Sequence, residues 1–163
     1  MSAEPRRAQY RLVCRALAAL VKGELDEIAV MATIACELHH AFDSFDWVGF
    51  YRVTEPRLLK IGPYQGGHGC LTIPFSKGVC GKCARENKVQ VVPDVTALPY
   101  HIACASTTRS EIVVPVRDPA GVVRAVLDID SDTPSNFSRA DVRPLERICA
   151  FVTRLYPQCP RSK

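Results

Sequence analysis

Apolar positions recur at helical spacing through Leu25, Ile28, Met31, Ala32, Ala35, Leu38 and Phe42, which predicts an amphipathic helix over about 24–42. A less regular helix is expected before it, over 7–21. Cys14 falls in that first helix and Cys36 beside the apolar stripe of the second, so both are read as core thiols. From Trp47 the period changes to that of strands. WVGFYRV (47–53) and LLKIGPY (58–64), joined by a short polar turn containing Pro56, read as a hairpin. LTIPF (71–75) is extended, as Pro74 requires, and SKGVCGKCAREN (76–87) is a glycine-containing turn leading into a short helix. VQVV (89–92) is a brief strand stopped by Pro93-Asp94. Segment 94–109 has no clear period and is expected to form a long loop or broken helix, a kind of segment that often carries function. EIVVPV (111–116), the turn RDPAG (117–121) and VVRAVLDID (122–130) make a second hairpin. A last helix covers about 138–155. Ser138 with Asp141 resembles a capping box, while Pro144 would then lie deep in the helix and favours a start nearer Asp141. Cys149 belongs to this helix as packing; Cys159 sits in a proline-flanked tail and is read as inert.

Short turns between strand pairs, rather than helical crossovers, predict an α+β fold with helices flanking a mainly antiparallel sheet. The 163 residues correspond to a single domain, with its core at about 24–153. A hydrophobic fraction of 47% against 23% charged residues excludes a disordered chain. The net charge of +4 shows no basic stripe of the kind a nucleic-acid binder carries, so no nucleic-acid partner is expected. The first twenty residues contain Glu4, Arg6 and Arg7 and are broken by Arg15, which fits neither a signal peptide nor a membrane span. A cytoplasmic location follows as an expectation, with no membrane partner and with thiols kept reduced.

Eight cysteines in such a compartment call for an explanation other than a disulfide scaffold. Cys70 follows the run GGHG, Cys80 sits in GVCG and Cys104 in HIAC, all in or beside irregular segments that can present a side chain to a ligand. Packing is the plain alternative for each. Zinc is a rival, since Cys80-x-x-Cys83 has ligand spacing and His68, Cys70, His101 or Cys104 could complete a site. A strong zinc signal needs two regular pairs and here there is one, so no metal is expected. Asp128 and Asp130 alternate on a strand and share a face, and Glu111 begins the partner strand of the same hairpin. Three carboxylates there would repel, and one could hold a raised pKa; a solvated strand end is the competing reading. Trp47 and Tyr51, at i and i+4 of one strand, form either sheet core or an aromatic wall for a small apolar group.

The strings DWVGFY, LTIPFSKGVCG, HIACA, SEIVVPV and LDIDS, in this order over about 24–153, resemble the free methionine-(R)-sulfoxide reductases, a catalytic branch of the GAF-domain fold. The resemblance implies a GAF-like architecture and reduction of free methionine-(R)-sulfoxide by thiols. It implies that Cys104 is the nucleophile, that Cys70 resolves it as a disulfide, and that Cys80 has a supporting or alternative resolving role. It also implies that Trp47, Tyr51, Glu111, Asp128 and Asp130 line the substrate pocket. No metal or organic cofactor is implied; an external dithiol, such as thioredoxin, would recycle the enzyme, and a homodimer is suggested. Cys83 departs from the family pattern, which leaves open the thiol that pairs with Cys80. His101, three residues before Cys104, is placed either to favour the thiolate or as an ordinary loop histidine. The competing class is a redox-sensing GAF module that binds a small ligand without catalysis.

Overall fold

Strand alternation divides the molecule into two unequal halves. The structure, a computed structural model, describes residues 3–98 and 107–157. Its helices are α1 (Ala3–Leu20), α2 (Glu27–Ala41), α3 (Gly78–Glu86) and α4 (Arg139–Thr153). Its strands are β1 (Trp47–Glu55), β2 (Leu58–Gln65), β3 (Thr72–Pro74), β4 (Gln90–Val92), β5 (Ser110–Arg117) and β6 (Val123–Ser131). The strands form one sheet in the order β3-β2-β1-β6-β5-β4, with every neighbouring pair antiparallel. Both expected hairpins are present and meet through β1 and β6.

On one face Val48, Phe50, Ile112, Val114, Leu127 and Ile129 pack against α1, α2 and α4, where Leu17, Ile34, Leu38, Leu145 and Ile148 are fully buried. Residues of opposite parity, among them Trp47, Tyr51, Val113 and Val126, pack against Val79, Cys80, Cys83 and Ala84 of α3. Three helices cover the first face. A single short helix, α3, packs on the second.

Helix ends correct the sequence reading in three places. α2 starts at Glu27 rather than 24, because the Asp26 carboxylate accepts from the Ile28 N–H at 2.8 Å and the Glu24 carboxylate accepts from the N–H groups of Leu25 and Asp26. Leu25, Ile28 and Ala32 are exposed, and the buried stripe is Val30, Met31, Ile34, Ala35 and Leu38. α1 reaches back to Ala3, four residues earlier than expected. Arg6 anchors that end: its Nε donates to Asp141 Oδ1 at 2.6 Å, and its guanidinium lies over the rings of Phe42, Phe45 and Phe137. α4 starts at Arg139, capped by the reciprocal Ser138–Asp141 pair, so the capping box outweighs Pro144. The carbonyl that Pro144 leaves without its intrahelical donor belongs to Ala140, an exposed residue that water can serve.

Cys14 is half-buried and packs against the edge of the core, whereas Cys36 is corrected: it is half-buried, with its Sγ 3.6 Å from His40 Nδ1. Cys149 is buried in the core as expected, and Cys159 lies outside the described residues. Of the aperiodic segment 94–109, Val95–Ala97 forms a single 3₁₀ turn capped by Asp94, and residues 99–106 lie outside the described residues. Both flanks are fastened: the Val95 N–H donates to the Arg109 carbonyl at 2.9 Å, and the Arg109 N–H donates to the Ser131 carbonyl at 2.8 Å. No described helix is long and apolar enough to cross a membrane.

Candidate active site

Register brings the carboxylates together. Glu111 on β5 is paired with Asp130 on β6, while Trp47, Gly49 and Tyr51 of β1 are paired with Asp130, Asp128 and Val126. Positions 47, 49, 51, 111, 128 and 130 therefore share the α3 face of the sheet. Glu111 and Asp128 are buried, with 5% and 6% of their surface exposed, and Asp130 is partly open at the strand end. Cys80, in the first turn of α3, places its Sγ so that it and one oxygen each of Glu111 and Asp128 all lie within 4.8 Å of one another.

Burial dominates the electrostatics of this cluster. It pushes the Glu111 carboxyl well above the usual range, and repulsion from Asp128 and Asp130 pushes it further. Asp130 is raised in the same way, by burial and then by Asp128, Asp132 and Asp46. Asp128 rises only to about 6, because hydrogen bonds from Cys80, Glu111 and the Ile129 backbone offset part of its desolvation. Asp128 is thus the most acidic of the three, and Glu111 holds its proton toward it. Cys80 remains a neutral thiol: burial pushes it well above its ordinary value, the negative Asp128 and the neighbouring Glu111 carboxyl push it further, and the Asp128 hydrogen bond adds to this. Oδ1 of Asp128 is buried with no hydrogen-bond partner among the described residues. An acceptor in that state is costly unless a donor arrives.

Trp47 stacks on Tyr51 with ring centroids 5.8 Å apart and on Tyr64 of β2 at 5.4 Å. Tyr64 is absent from the sequence reading. It pairs with Gly49 beyond two irregularities in the β1–β2 register, so counting back from the turn does not reach it. Gly49 is required there, because a Cβ would lie 2.4 Å from the Trp47 ring and 2.5 Å from Tyr64 Cβ. The glycine-rich segment before Cys70 lies on this aromatic wall. The Trp47 indole N–H donates to the Gly67 carbonyl at 3.0 Å, and a Cβ on Gly69 would come within 2.9 Å of the Tyr51 hydroxyl. The Cys70 backbone hydrogen-bonds that same hydroxyl, which locates Cys70 at the edge of the wall. Cys70 is engaged in a disulfide, whereas Cys14, Cys36, Cys80, Cys83 and Cys149 are free thiols.

Most of the expected site is thereby brought together: Trp47, Tyr51, Glu111, Asp128, Asp130, Cys80 and Cys70. Cys104 and His101 lie outside the described residues. The Cys80–Cys83 pair does not act as one unit. Cys83 directs its S–H to the Val113 carbonyl at 3.6 Å, and among the described residues the donor set that could grip an ion is Cys80, Glu111 and Asp128.

The family model for the GAF domain matches residues 24–155. A free methionine-R-sulfoxide reductase of Saccharomyces cerevisiae is 36% identical over 141 residues, which is 83% of this chain and 78% of that protein. One from Escherichia coli is 35% identical over 137 residues, covering 84% and 82%. Among solved structures, a free methionine-R-sulfoxide reductase from Neisseria meningitidis in complex with its substrate superposes with a TM-score of 0.88. It shares 40% identity, with 95% of this chain and 92% of that one covered.

Proposed function

The chain belongs to the GAF-domain family and, within it, to the free methionine-R-sulfoxide reductases, and we propose that it reduces free methionine-(R)-sulfoxide to methionine through a thiol relay. The observation that carries this reading is the buried acidic cluster beneath the Trp47–Tyr51 wall, with Asp128 Oδ1 awaiting a donor. A free amino acid brings an ammonium group that a residue within a polypeptide lacks. Pairing it with Asp128 discriminates between the two by about 2–5 kcal/mol, the usual cost of losing a buried charged partner. The sulfoxide methyl packs on Trp47, and backbone amides of segment 94–109 receive the substrate carboxylate.

Reduction needs a soft nucleophile and an acid. Cys104 supplies the first as a thiolate, helped by His101, because Cys80 is held neutral by burial and by the carboxylates around it. Cys104 sulfur attacks the substrate sulfur while Glu111 protonates the oxygen, which leaves as water; water then attacks Cys104 sulfur, breaking its bond to the substrate sulfur, so that methionine departs and Cys104 is left as a sulfenic acid. The Cys70 thiol then displaces hydroxide from that sulfenic acid, giving a Cys70–Cys104 disulfide and water. One sulfoxide and two thiols thus become methionine, one disulfide and one water. An external dithiol of the thioredoxin type restores both thiols by exchange, with no metal or organic cofactor. Support comes from the disulfide at Cys70 beside free thiols at Cys80 and Cys83.

The test is a single turnover. Reduced protein is mixed anaerobically with free methionine-(R)-sulfoxide, and methionine, thiols and disulfide-linked peptides are measured. About one methionine per chain is expected, with a Cys70–Cys104 peptide pair. Cys104→Ser should release none, and Cys70→Ser should complete the first turnover but not cycle. Binding without methionine release would instead identify a redox-sensing GAF module.

A further inference from the structure

The basic stripe that the sequence reading did not find is assembled by the fold. Arg7, Arg11 and Arg15 of α1 and Arg139, Arg143 and Arg147 of α4 line one cleft of about 910 Å³ between the two helices. All six are exposed. The two sets stand more than 120 positions apart in the chain, which hides the pattern from any local window.

Several observations make this cleft an unusual surface. Without these six residues the formal charge of the chain falls from +4 to −2, so the basic character of the protein is concentrated here. Among the described residues, one of the six has an ion-pair partner: Arg11, 3.5 Å from the exposed Glu4. Each row repeats every four residues, so like charges are neighbours along both helices, an arrangement that destabilises a helix by a few tenths of a kcal/mol per pair. Every position is arginine and none is lysine, which suits planar, two-point contact with carboxylates. The cleft is also not purely polar, because the half-buried Cys14, Pro144 and Phe151 line it beside the arginines.

We propose that the α1–α4 cleft docks an acidic amphipathic helix of another protein. Apolar side chains of that helix would lie on Cys14, Pro144 and Phe151 while glutamate or aspartate rows on its flanks meet the arginines. Each arginine row spans about 12 Å, or roughly two turns, which sets the contact at carboxylates spaced by three or four residues. A second copy of this chain is disfavoured as the occupant, since a two-fold pairing would oppose six guanidinium groups to six. The cleft lies in the helix layer, across the sheet from the carboxylate pocket, so docking leaves that pocket open. The proposal is independent of the catalytic reading.

The probe is a fluorescein-labelled helical peptide of about 18 residues with a leucine stripe flanked by two glutamate rows, titrated with the full chain and followed by anisotropy. Saturable 1:1 binding is expected, weakened about tenfold or more by the double variant Arg11→Glu/Arg143→Glu and by added salt. The milder Arg11→Gln/Arg143→Gln should weaken it less, and circular dichroism checks that both variants keep their helices. Peptides with Gln for Glu, or Ser for Leu, should each lose affinity. The proposal is overturned by absence of saturable binding, by affinity unchanged in the charge-reversed variant, or by a Leu-to-Ser peptide that binds equally well. It also fails if a short DNA duplex of equal charge displaces the peptide more effectively than unlabelled peptide does. A dimer in sedimentation that Arg11→Glu/Arg143→Glu abolishes would assign the cleft to a second copy and refute it.

Discussion

Replacing Asp128 by asparagine tests the acidic cluster through stability alone. In the folded chain the Asp128 carboxyl is raised from 3.8 to about 6, chiefly by burial. The native state therefore binds this proton more tightly than the unfolded chain does, and stability is lost as pH rises from about 4 through 6. At 1.36 kcal/mol per tenfold change in proton affinity, the loss is about 3 kcal/mol once the pH exceeds 7. Asp128→Asn carries no such penalty. Relief of repulsion on Glu111 and Asp130 acts in the same direction. Urea denaturation of both reduced proteins at pH 4 and pH 8 isolates the effect. The stability of the variant relative to the parent should rise by about 2.4 kcal/mol between the two pH values, whatever the constant offset from the altered side chain. A difference that is flat or falls with pH would refute the assignment of a buried, desolvated carboxylate. Substrate affinity should fall in the same variant, which would set function against stability at one atom.

Arg6→Met leaves Asp141, 2% exposed, with the Tyr10 hydroxyl and its own cap as partners, and should cost about 3–5 kcal/mol in urea denaturation. A loss below about 1 kcal/mol would show that neither the Asp141 pair nor the position over the three phenyl rings anchors this end of α1. Gly49→Ala should displace the Trp47 ring and raise KM for the free sulfoxide about tenfold, with a smaller change in kcat, because the wall binds rather than reacts. Trp47 is the single tryptophan, so unchanged fluorescence in that variant would contradict the packing described.

Parity explains why the candidate site was readable in the chain. Asp128 and Asp130, like Trp47 and Tyr51, are two or four residues apart on strands, and a period of two leaves no choice of face. Glu111 joined them because a tight hairpin fixes register. Tyr64 escaped, since its stacking on Trp47 depends on a bulged pairing between β1 and β2. The apolar spacing around α2 over-reached at Leu25, which precedes the Asp26 cap, and at Ile28 and Ala32, which are helical but face solvent. Competition between Ser138 and Pro144 was visible, but the winner depends on reciprocal hydrogen bonds that only coordinates show. The pairing of β1 with β6 joins residues some eighty positions apart, and no local pattern announces it.

Parity along β6 also governs how the pocket can be reworked. Leu127 and Ile129 hold the strand to the helices, and Asp128 lies between them pointing the other way. A new side chain at 128 leaves both anchors in place. Retargeting the cavity to another small molecule thus reduces to a few alternate positions on β1, β5 and β6, each replaceable while the scaffold behind the sheet stays as it is.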